Sequence, residues 1–373
     1  MEQGDAFREA LDRLGPPLLQ TLHAIEQAMR HLHPPALPQI RAALEPLATP
    51  LGDATARFLE IDPAGEIADL HAQFLEGAEL ASRALGGLLA PPSPTEGIAA
   101  VLRAMRDHAD AQAVLYPLAP LLVPVSRYFL EGAYWDREHE RGFPRSESRV
   151  GLHQAHNGPD ERGGFHFYVP EWHDGKTPLP LVVALHGGSG HGRSFLWTWL
   201  REARSRGFAL LSPTSRGTTW SLMGPDVDSG PLQGMIDWVS ERWPIDRGRI
   251  LLTGLSDGGT FSLLTGLRAD APYTAIAPIA GVLHPNLFAN GGMEQAAGRR
   301  IYLVHGALDW MFPVSLAQGA AEELRKAGAD LTYREIPDLS HTYPRDENDA
   351  LLRWFDPTLA LPESAEANAP PSG

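Results

Sequence analysis

A serine between two glycines is the first candidate for chemistry in this sequence. Gly254, Ser256 and Gly258 form the pattern G-x-S-x-G directly after the apolar run 250–252. From Thr260 onward, apolar residues recur at spacings of three and four, which is typical of a helix. The sequence therefore predicts a strand, a sharp turn that exposes the Ser256 hydroxyl, and a helix whose N-terminus favours negative charge beside it. The alternative is a glycine-rich turn with a chemically idle serine.

Two later loops contain the acid and the base that a serine nucleophile needs. Serine is a weak nucleophile near neutral pH, so a base must take its proton and an acid must orient that base. The first loop follows the apolar run 301–304 and contains Asp309, which we predict as the acid. The second loop follows the run 331–336 and contains His341, which we predict as the base.

Both choices have a rival. Asp338 is three residues from His341 on the same short loop, so it would struggle to reach the far side of that imidazole. His305 precedes Asp309, against the order serine, acid, base that accompanies this kind of turn. We therefore predict Ser256, Asp309 and His341 as the catalytic residues. The alternatives are a loop-capping role for Asp309 and a solvated loop position for His341.

A glycine-rich turn after the apolar run 179–185 predicts an oxyanion hole. The tetrahedral intermediate of acyl transfer needs two fixed N–H donors. One donor is predicted at the backbone N–H of Asp257, the residue after the nucleophile. The other is predicted in the turn that begins at His186, with Gly188 as first choice and Gly187 as second, because glycine lets the backbone approach a substrate closely. The alternative is a simple tight turn.

Four short motifs together resemble those of bacterial α/β-hydrolases. They are H-G-G at 186–188, G-L-S-D-G at 254–258, H-G-A-L-D at 305–309 and S-H at 340–341. Over roughly residues 150–356 the sequence is similar to phospholipase/carboxylesterase-type enzymes and to dienelactone-hydrolase-like and polyhydroxybutyrate-depolymerase-like esterases. This resemblance implies a serine esterase that needs no cofactor. It does not extend to the first 130 or so residues.

Two tryptophans are candidates for lining the substrate pocket. Trp220 follows the strand predicted to end at Ser212, and Trp310 is next to Asp309. We predict that Trp220 and Trp310 line an acyl or aryl pocket, with ordinary packing as the alternative. A pocket closed by these two side chains would favour short acyl esters over long ones. The sequence contains neither a metal-ligand cluster nor a phosphate-binding loop with its lysine, so we expect no metal and no cofactor.

The elements that must position these loops alternate between strand and helix patterns. The predicted strands are 163–170, 179–185, 208–212, 250–253, 275–280, 301–304 and 331–336, and the predicted helices are 195–206, 232–243, 260 onward, 314–327 and 346–355. This alternation predicts a doubly wound, mainly parallel sheet, the architecture of the α/β-hydrolase fold. The candidate loops follow the carboxyl ends of its strands, where sites of such sheets are built.

The first 130 residues predict an all-helical region without a catalytic pattern. Prolines are expected to break it into segments at 16–17, 34–35, 50, 63, 91–92 and 94. Its apolar stripes need burial, because short isolated helices are marginal in water. The stripes are Leu18, Leu22, Ile25 and Met29; Ile67, Leu70, Phe74 and Ala78; and Ile98, Val101, Leu102 and Met105.

Three arrangements would bury these stripes: a self-contained bundle, a cap on the hydrolase region, or a homo-oligomer interface. We favour helices that dock on the hydrolase region and shape its entrance. The predicted organisation is a helical region at 1–130, a connector at 131–160, a catalytic domain at 161–357 and a disordered tail at 358–373.

Composition narrows the class of protein and its partners. The 373 residues include 31 Lys and Arg against 46 Asp and Glu, a net charge of −15 that disfavours nucleic acid and anionic membranes as partners. There is no cysteine, which excludes disulfides, thiolate metal sites and a cysteine nucleophile. The N-terminus lacks a signal-peptide pattern, and prolines interrupt the longest apolar run, 113–126. We therefore expect a cytoplasmic protein with no membrane span.

The sequence favours hydrolysis of a carboxylic ester through an acyl-enzyme formed on Ser256. We expect a small-molecule ester of neutral or weakly polar character. The alternatives are a peptidase or thioesterase with the same triad, and a non-catalytic hydrolase fold that serves as a binding protein.

Overall fold

The computed structural model describes residues 2–63, 65, 67–90, 97–141 and 149–362. The chain divides into two units, Met1–Phe129 and Leu130–Gly373. Among the described residues, no helix combines the length and the apolar character needed to cross a membrane.

The first unit is built from amphipathic helices whose apolar faces meet in a common core. Leu18, Leu22 and Ile25 of the first predicted stripe are fully buried, and Ile25 packs in a cluster with Leu44 and Leu85. The helices are α1 (Glu2–Arg30), α2 (Leu37–Leu44), α3 (Ala48–Leu59), α4 (Ile67–Leu89), α5 (Gly97–Leu115) and α6 (Val123–Tyr128).

Two details of this unit correct the sequence prediction. Pro16 and Pro17 do not separate two helices, because α1 continues through both of them. Each proline removes a backbone hydrogen bond, and the burial of Leu14 and Leu18 on either side offsets that cost. The third stripe is wrong at Leu102, which is 40% exposed. Residues 91–96 and the side chain at 98 lie outside the described residues, and the predicted docking and oligomer roles stay predictions.

The second unit is organised around one sheet of eight strands in the order β1-β2-β4-β3-β5-β6-β7-β8. Strands β3 to β8 are parallel, and β1 and β2 pair antiparallel at one side. This confirms the predicted doubly wound, mainly parallel sheet. The strands are β1 (Gly151–Ala155), β2 (Phe165–Val169), β3 (Leu179–Leu185), β4 (Ala209–Pro213), β5 (Ile245–Leu255), β6 (Ala275–Ile279), β7 (Arg300–Gly306) and β8 (Asp330–Ile336).

Helices cover both faces of this sheet, since every residue of β3, β4 and β6 is buried. A continuous apolar run is the pattern that such doubly covered strands require. The helices are α7 (Gly192–Phe195), α8 (Leu200–Arg206), α9 (Ser229–Arg242), α10 (Asp257–Gly266), α11 (Pro285–Ala289), α12 (Val314–Lys326) and α13 (Asn348–Phe355). The loops after β3, β5, β7 and β8 all leave the same edge of the sheet.

Two boundaries of the predicted domain organisation differ from the structure. Strand β1 lies inside the predicted connector 131–160 and is an edge strand, so its polar residues His153 and Gln154 gave no apolar pattern. Residues 142–148 of that connector lie outside the described part of the chain. The predicted disordered tail starts too early, because Pro357–Leu359 form a 3-10 turn and Leu359 is buried. From residue 363 onward the tail is outside the described residues.

Candidate active site

Ser256 lies in a sharp turn between β5 and α10. Its backbone has φ 57° and ψ −117°, a conformation that non-glycine residues rarely adopt. The flanking glycines are required by space, because a Cβ on Gly254 would lie 2.5 Å from the Gly258 carbonyl oxygen, and one on Gly258 would lie 2.5 Å from that of His186. The Ser256 N–H donates to the Ile279 carbonyl at 2.8 Å, which ties the turn to β6. The strand, strained turn and helix predicted here are therefore present.

The structure brings Ser256, His341 and Asp309 together in one hydrogen-bonded line. His341 Nε2 is 2.8 Å from Ser256 Oγ, and His341 Nδ1 is 2.8 Å from Asp309 Oδ2. A carboxylate can only accept a hydrogen bond, so Nδ1 of the neutral imidazole is assigned the proton. That tautomer leaves Nε2 free to accept the Ser256 hydroxyl proton.

Asp309 is buried and held in an ionised form. Burial acts to raise the pKa of its carboxyl, but hydrogen bonds from His341 and from the Phe312 N–H outweigh burial and lower the pKa below its usual range. Its second oxygen, Oδ1, accepts from the N–H groups of Met311 at 2.9 Å and Phe312 at 2.8 Å. The loop of Asp309 thus fixes the orientation of this carboxylate independently of its bond to His341.

The loops that contain Asp309 and His341 are tied to each other. The Leu308 N–H donates to the Leu339 carbonyl at 2.9 Å. Gly306 permits this approach, because a Cβ there would lie 2.2 Å from the Leu339 carbonyl oxygen. Phe312 also packs edge-on against the His341 ring at a centroid distance of 5.2 Å. These contacts explain how Asp309 and His341, which are 32 positions apart in the sequence, are held within hydrogen-bond distance.

The structure separates the predicted residues from their rivals. His341 uses Asp309 as its carboxylate partner, and Asp338 is exposed on the surface of the loop. His305 also contacts Asp309 and the loop that contains it. Its Nε2 is 2.8 Å from the Phe312 carbonyl oxygen and 3.4 Å from Asp309 Oδ2. His305 therefore supports the loop of the acid and does not contact Ser256.

The glycine turn after β3 lies against the nucleophile turn. A Cβ on Gly187 would be 3.6 Å from Ser256 Cβ, and a Cβ on Gly188 would be 2.7 Å from Asp257 Oδ2. Within the part of the chain that the structure describes, the N–H groups of Gly188 and Asp257 donate to no other backbone or side-chain group. Two unused donors thus lie on the two segments that the sequence predicts to form the oxyanion hole.

His186 and Trp220 are buried next to this turn and support it by hydrogen bonds. His186 is buried, and burial lowers its pKa to about 3, which keeps its ring neutral. Its Nδ1–H donates to the Gly187 carbonyl at 2.7 Å, and its Nε2 accepts from the Ser215 N–H at 3.1 Å. The Trp220 indole N–H donates to the His186 carbonyl at 2.7 Å. The ends of β3 and β4 are linked by these bonds.

Trp220 therefore differs from the predicted pocket wall. Its side chain is 3% exposed and stacks on Phe261 at a centroid distance of 5.3 Å, inside the core of the second unit. An indole N–H needs an acceptor when buried, and the His186 carbonyl provides one. Trp310 is 49% exposed on the loop beside Asp309. Of the two tryptophans predicted to close a pocket, only Trp310 therefore remains a candidate.

Sequence reasoning missed two residues that shape the glycine turn. Arg162 donates to the carbonyls of Ser215 and Gly190, both at 3.0 Å, and so clamps two loops. Thr219 Oγ1 donates to Asp257 Oδ2 at 2.6 Å. Neither residue stands in a motif, and only the folded structure places them here. Among the described residues, no cluster of His, Cys, Asp or Glu could hold a metal ion.

The fold has a known architecture, and a family model matches part of the chain. The mostly parallel sheet with its serine turn after β5 is an α/β-hydrolase fold, preceded by a helical region. Residues 228–356, from the start of α9 to the end of α13, match the family model described as phospholipase/carboxylesterase. At the level of the family, this match supports a hydrolase of the esterase type.

Individual relatives are distant and align over part of their length. The chain is 28% identical over 182 residues to a bifunctional acetylxylan esterase/xylanase of Neocallimastix patriciarum, covering 47% of this chain and 26% of that protein. It is 32% identical over 111 residues to acyl-protein thioesterase 1 of Gibberella zeae, covering 28% of this chain and 47% of that protein. The crystal structure of a thermostable esterase superposes with a TM-score of 0.45 and 19% identity, over 55% of this chain and 61% of that one. The chain thus spans about half or less of these curated relatives.

Proposed function

We propose that this protein is a serine hydrolase that cleaves carboxylic esters through an acyl-enzyme on Ser256. The observation that supports it most is the position of His341, 2.8 Å from both Ser256 Oγ and Asp309 Oδ2. A base within hydrogen-bond reach of the nucleophile and oriented by a buried acid is the geometry that activates a serine. Asp257 N–H and Gly188 N–H, with Gly187 as the other candidate, act as the oxyanion donors.

The proposed reaction has two halves. Ser256 Oγ attacks the ester carbonyl carbon while His341 Nε2 takes the hydroxyl proton, and the carbonyl electron pair moves onto oxygen. The intermediate collapses by breaking the bond to the alkoxy group, which leaves as an alcohol with the proton from His341. Water then repeats both steps on the acyl-enzyme, which releases the acid and restores Ser256. Asp309 stabilises the imidazolium in each half.

A panel of purified variants on p-nitrophenyl esters tests this proposal. We expect the wild-type protein to hydrolyse short acyl esters and to be labelled by a fluorophosphonate, and we expect Ser256→Ala to lose both properties. Ser240→Ala is the matched control, since among the described residues the Ser240 hydroxyl donates to the Ile236 carbonyl of its own helix, at 2.7 Å. A Ser256→Ala variant with normal turnover would overturn the proposal.

The thioesterase alternative uses the same triad and differs only in the leaving group. The match to an acyl-protein thioesterase favours its inclusion in the test. A matched oxygen ester, thioester and anilide with one acyl chain separate esterase, thioesterase and peptidase by their relative kcat/KM. An idle fold used for binding would hydrolyse none of the three and would not be labelled.

A further inference from the structure

The residue after the nucleophile brings a carboxylate to the candidate oxyanion hole. Asp257 is the first residue of α10, and its backbone N–H is one of the two donors proposed above. Its side chain lies against the other donor, because a Cβ on Gly188 would be 2.7 Å from Asp257 Oδ2 and 3.4 Å from its Cγ. A negative charge therefore lies beside the position where the reaction creates another.

Neighbouring residues hold this carboxylate in place without neutralising it. Thr219 Oγ1 donates to Asp257 Oδ2 at 2.6 Å and would lie 4.0 Å from a Cβ on Gly188. Among the described residues, no arginine, lysine or histidine forms an ion pair with Asp257. The side chain is only partly buried, so its field reaches the solvent side of the turn.

This arrangement has an electrostatic cost for an ordinary ester. Two like charges a few ångströms apart repel each other, and the oxyanion of the tetrahedral intermediate is such a charge. An acidic residue in the first turn stabilises a helix through the helix dipole, which would account for the residue type. It does not account for the contact with Gly188 or for the bond from Thr219.

We propose that Asp257 is a specificity-determining residue whose carboxylate selects esters with a positive charge close to the scissile carbonyl. The inference rests on the proposed function of Ser256. A cationic group on the substrate pairs with the Asp257 carboxylate and offsets its repulsion of the oxyanion. Neutral esters experience the repulsion in full, and anionic esters are repelled before the reaction begins. The net charge of −15 acts in the same direction at longer range.

Isosteric ester pairs that differ only in charge test the proposal. On the alcohol side the pair is butyrylcholine and 3,3-dimethylbutyl butyrate, and on the acyl side the phenyl esters of trimethylammonioacetate and 3,3-dimethylbutanoate. The measured quantity is the ratio of kcat/KM for the cationic ester to that for its neutral isostere. We expect Asp257→Asn to lower this ratio roughly tenfold in at least one pair, because it removes one unit charge near the reaction centre.

Two further variants separate charge at this position from charge elsewhere. Asp237→Asn is the matched control, because Asp237 is an exposed carboxylate on α9 that pairs with Arg247 at 2.8 Å. It changes the net charge equally and should leave the ratio within about twofold of wild type. Asp257→Glu keeps the charge and should retain most of the preference, and Asp257→Ser provides a second neutral variant if the Asn variant does not fold.

The outcomes distinguish this inference from the proposed function. Hydrolysis of all four esters with an inactive Ser256→Ala variant and an unchanged ratio in Asp257→Asn would overturn the specificity role alone. An equal fall of the ratio in Asp237→Asn would also overturn it, because the preference would then come from the overall field. A wild-type protein that neither hydrolyses any of the esters nor is labelled by a fluorophosphonate overturns both.

Discussion

The two sides of the candidate site are built on different principles. On the proposed acid–base side, after β7 and β8, the candidate groups are side chains: Asp309 and His341 meet at 2.8 Å. On the proposed oxyanion side, after β3 and β5, the candidate groups are backbone N–H donors whose position depends on glycines and on buried supports such as Trp220. The acid–base side is therefore sensitive to the chemical type of a residue, and the oxyanion side to its volume.

The largest expected effect belongs to the acid–base side. Ser256→Ala and His341→Ala should each lower kcat by about 10⁴-fold or more, because the two residues act as one unit for proton transfer. The double variant should be no slower than either single variant. Steady-state kinetics and circular dichroism provide the measurement and the check of folding. Additive losses of kcat would mean that the two residues act independently, which would contradict a shared role in one hydrogen-bonded line.

The acid gives the next largest effect. Asp309→Asn should lower kcat by about 10³ to 10⁴-fold, because an amide at that position favours the wrong tautomer of His341. Asp338→Asn is the comparison, since Asp338 is exposed on the neighbouring loop, and we expect it to stay within about threefold of wild type. If Asp338→Asn were the more damaging change, the assignment of the acid would be wrong.

The oxyanion side is tested by a pair of glycine variants. Gly188→Ala would place a Cβ 2.7 Å from Asp257 Oδ2, so the Asp257 carboxylate or the turn must shift, whereas Gly187→Ala meets its nearest neighbours at 3.5 and 3.6 Å. We expect Gly188→Ala to lower kcat by about 10 to 100-fold with little change in KM, and Gly187→Ala to have the smaller effect. Equal losses would show that volume at this turn does not control the rate.

The smallest expected effect is on the free energy of unfolding. It concerns His186, a buried residue that supports the glycine turn and is not one of the proposed catalytic residues. Burial lowers the pKa of His186 to about 3, against about 6.5 in an unfolded chain. The unfolded state therefore binds more protons between these values, and the His186 contribution makes the protein less stable as pH falls through that window. The free energy of unfolding in urea should fall between pH 7 and pH 5. We expect this fall to be about 2 kcal/mol smaller in His186→Gln than in wild type. An identical pH dependence in both proteins would show that His186 does not stay neutral when folded.

The loops that contain Asp309 and His341 could be located because each follows a strand predicted from the sequence. Both strands, β7 and β8, lie in the parallel part of the sheet, which brings their carboxyl ends to one edge. The supports of the oxyanion side could not be predicted in the same way. A tryptophan near a site can line the pocket or can support the site from the core. Only the hydrogen bond from Trp220 to the His186 carbonyl shows that Trp220 is a support. Arg162 and Thr219 act through contacts between distant loops, which no local pattern reveals.

The fold follows the same division between strong and weak local signals. Strand β3 matches its predicted bounds, because seven consecutive buried residues form an unambiguous apolar run. Strand β1 was missed because an edge strand needs no such run. The prolines of α1 were interpreted as breaks because local propensity opposes a helix there, and tertiary burial of Leu14 and Leu18 overrides that preference.

Peptide mapping of the covalent intermediate tests the central claim most directly. The wild-type protein is mixed with a slowly deacylating p-nitrophenyl ester, quenched in acid during the burst, digested and examined by mass spectrometry. The account predicts one acyl group on the peptide that contains Ser256, and none on the same peptide of Ser256→Ala. An acyl group on another residue, or turnover with a burst but without modification of Ser256, would contradict it.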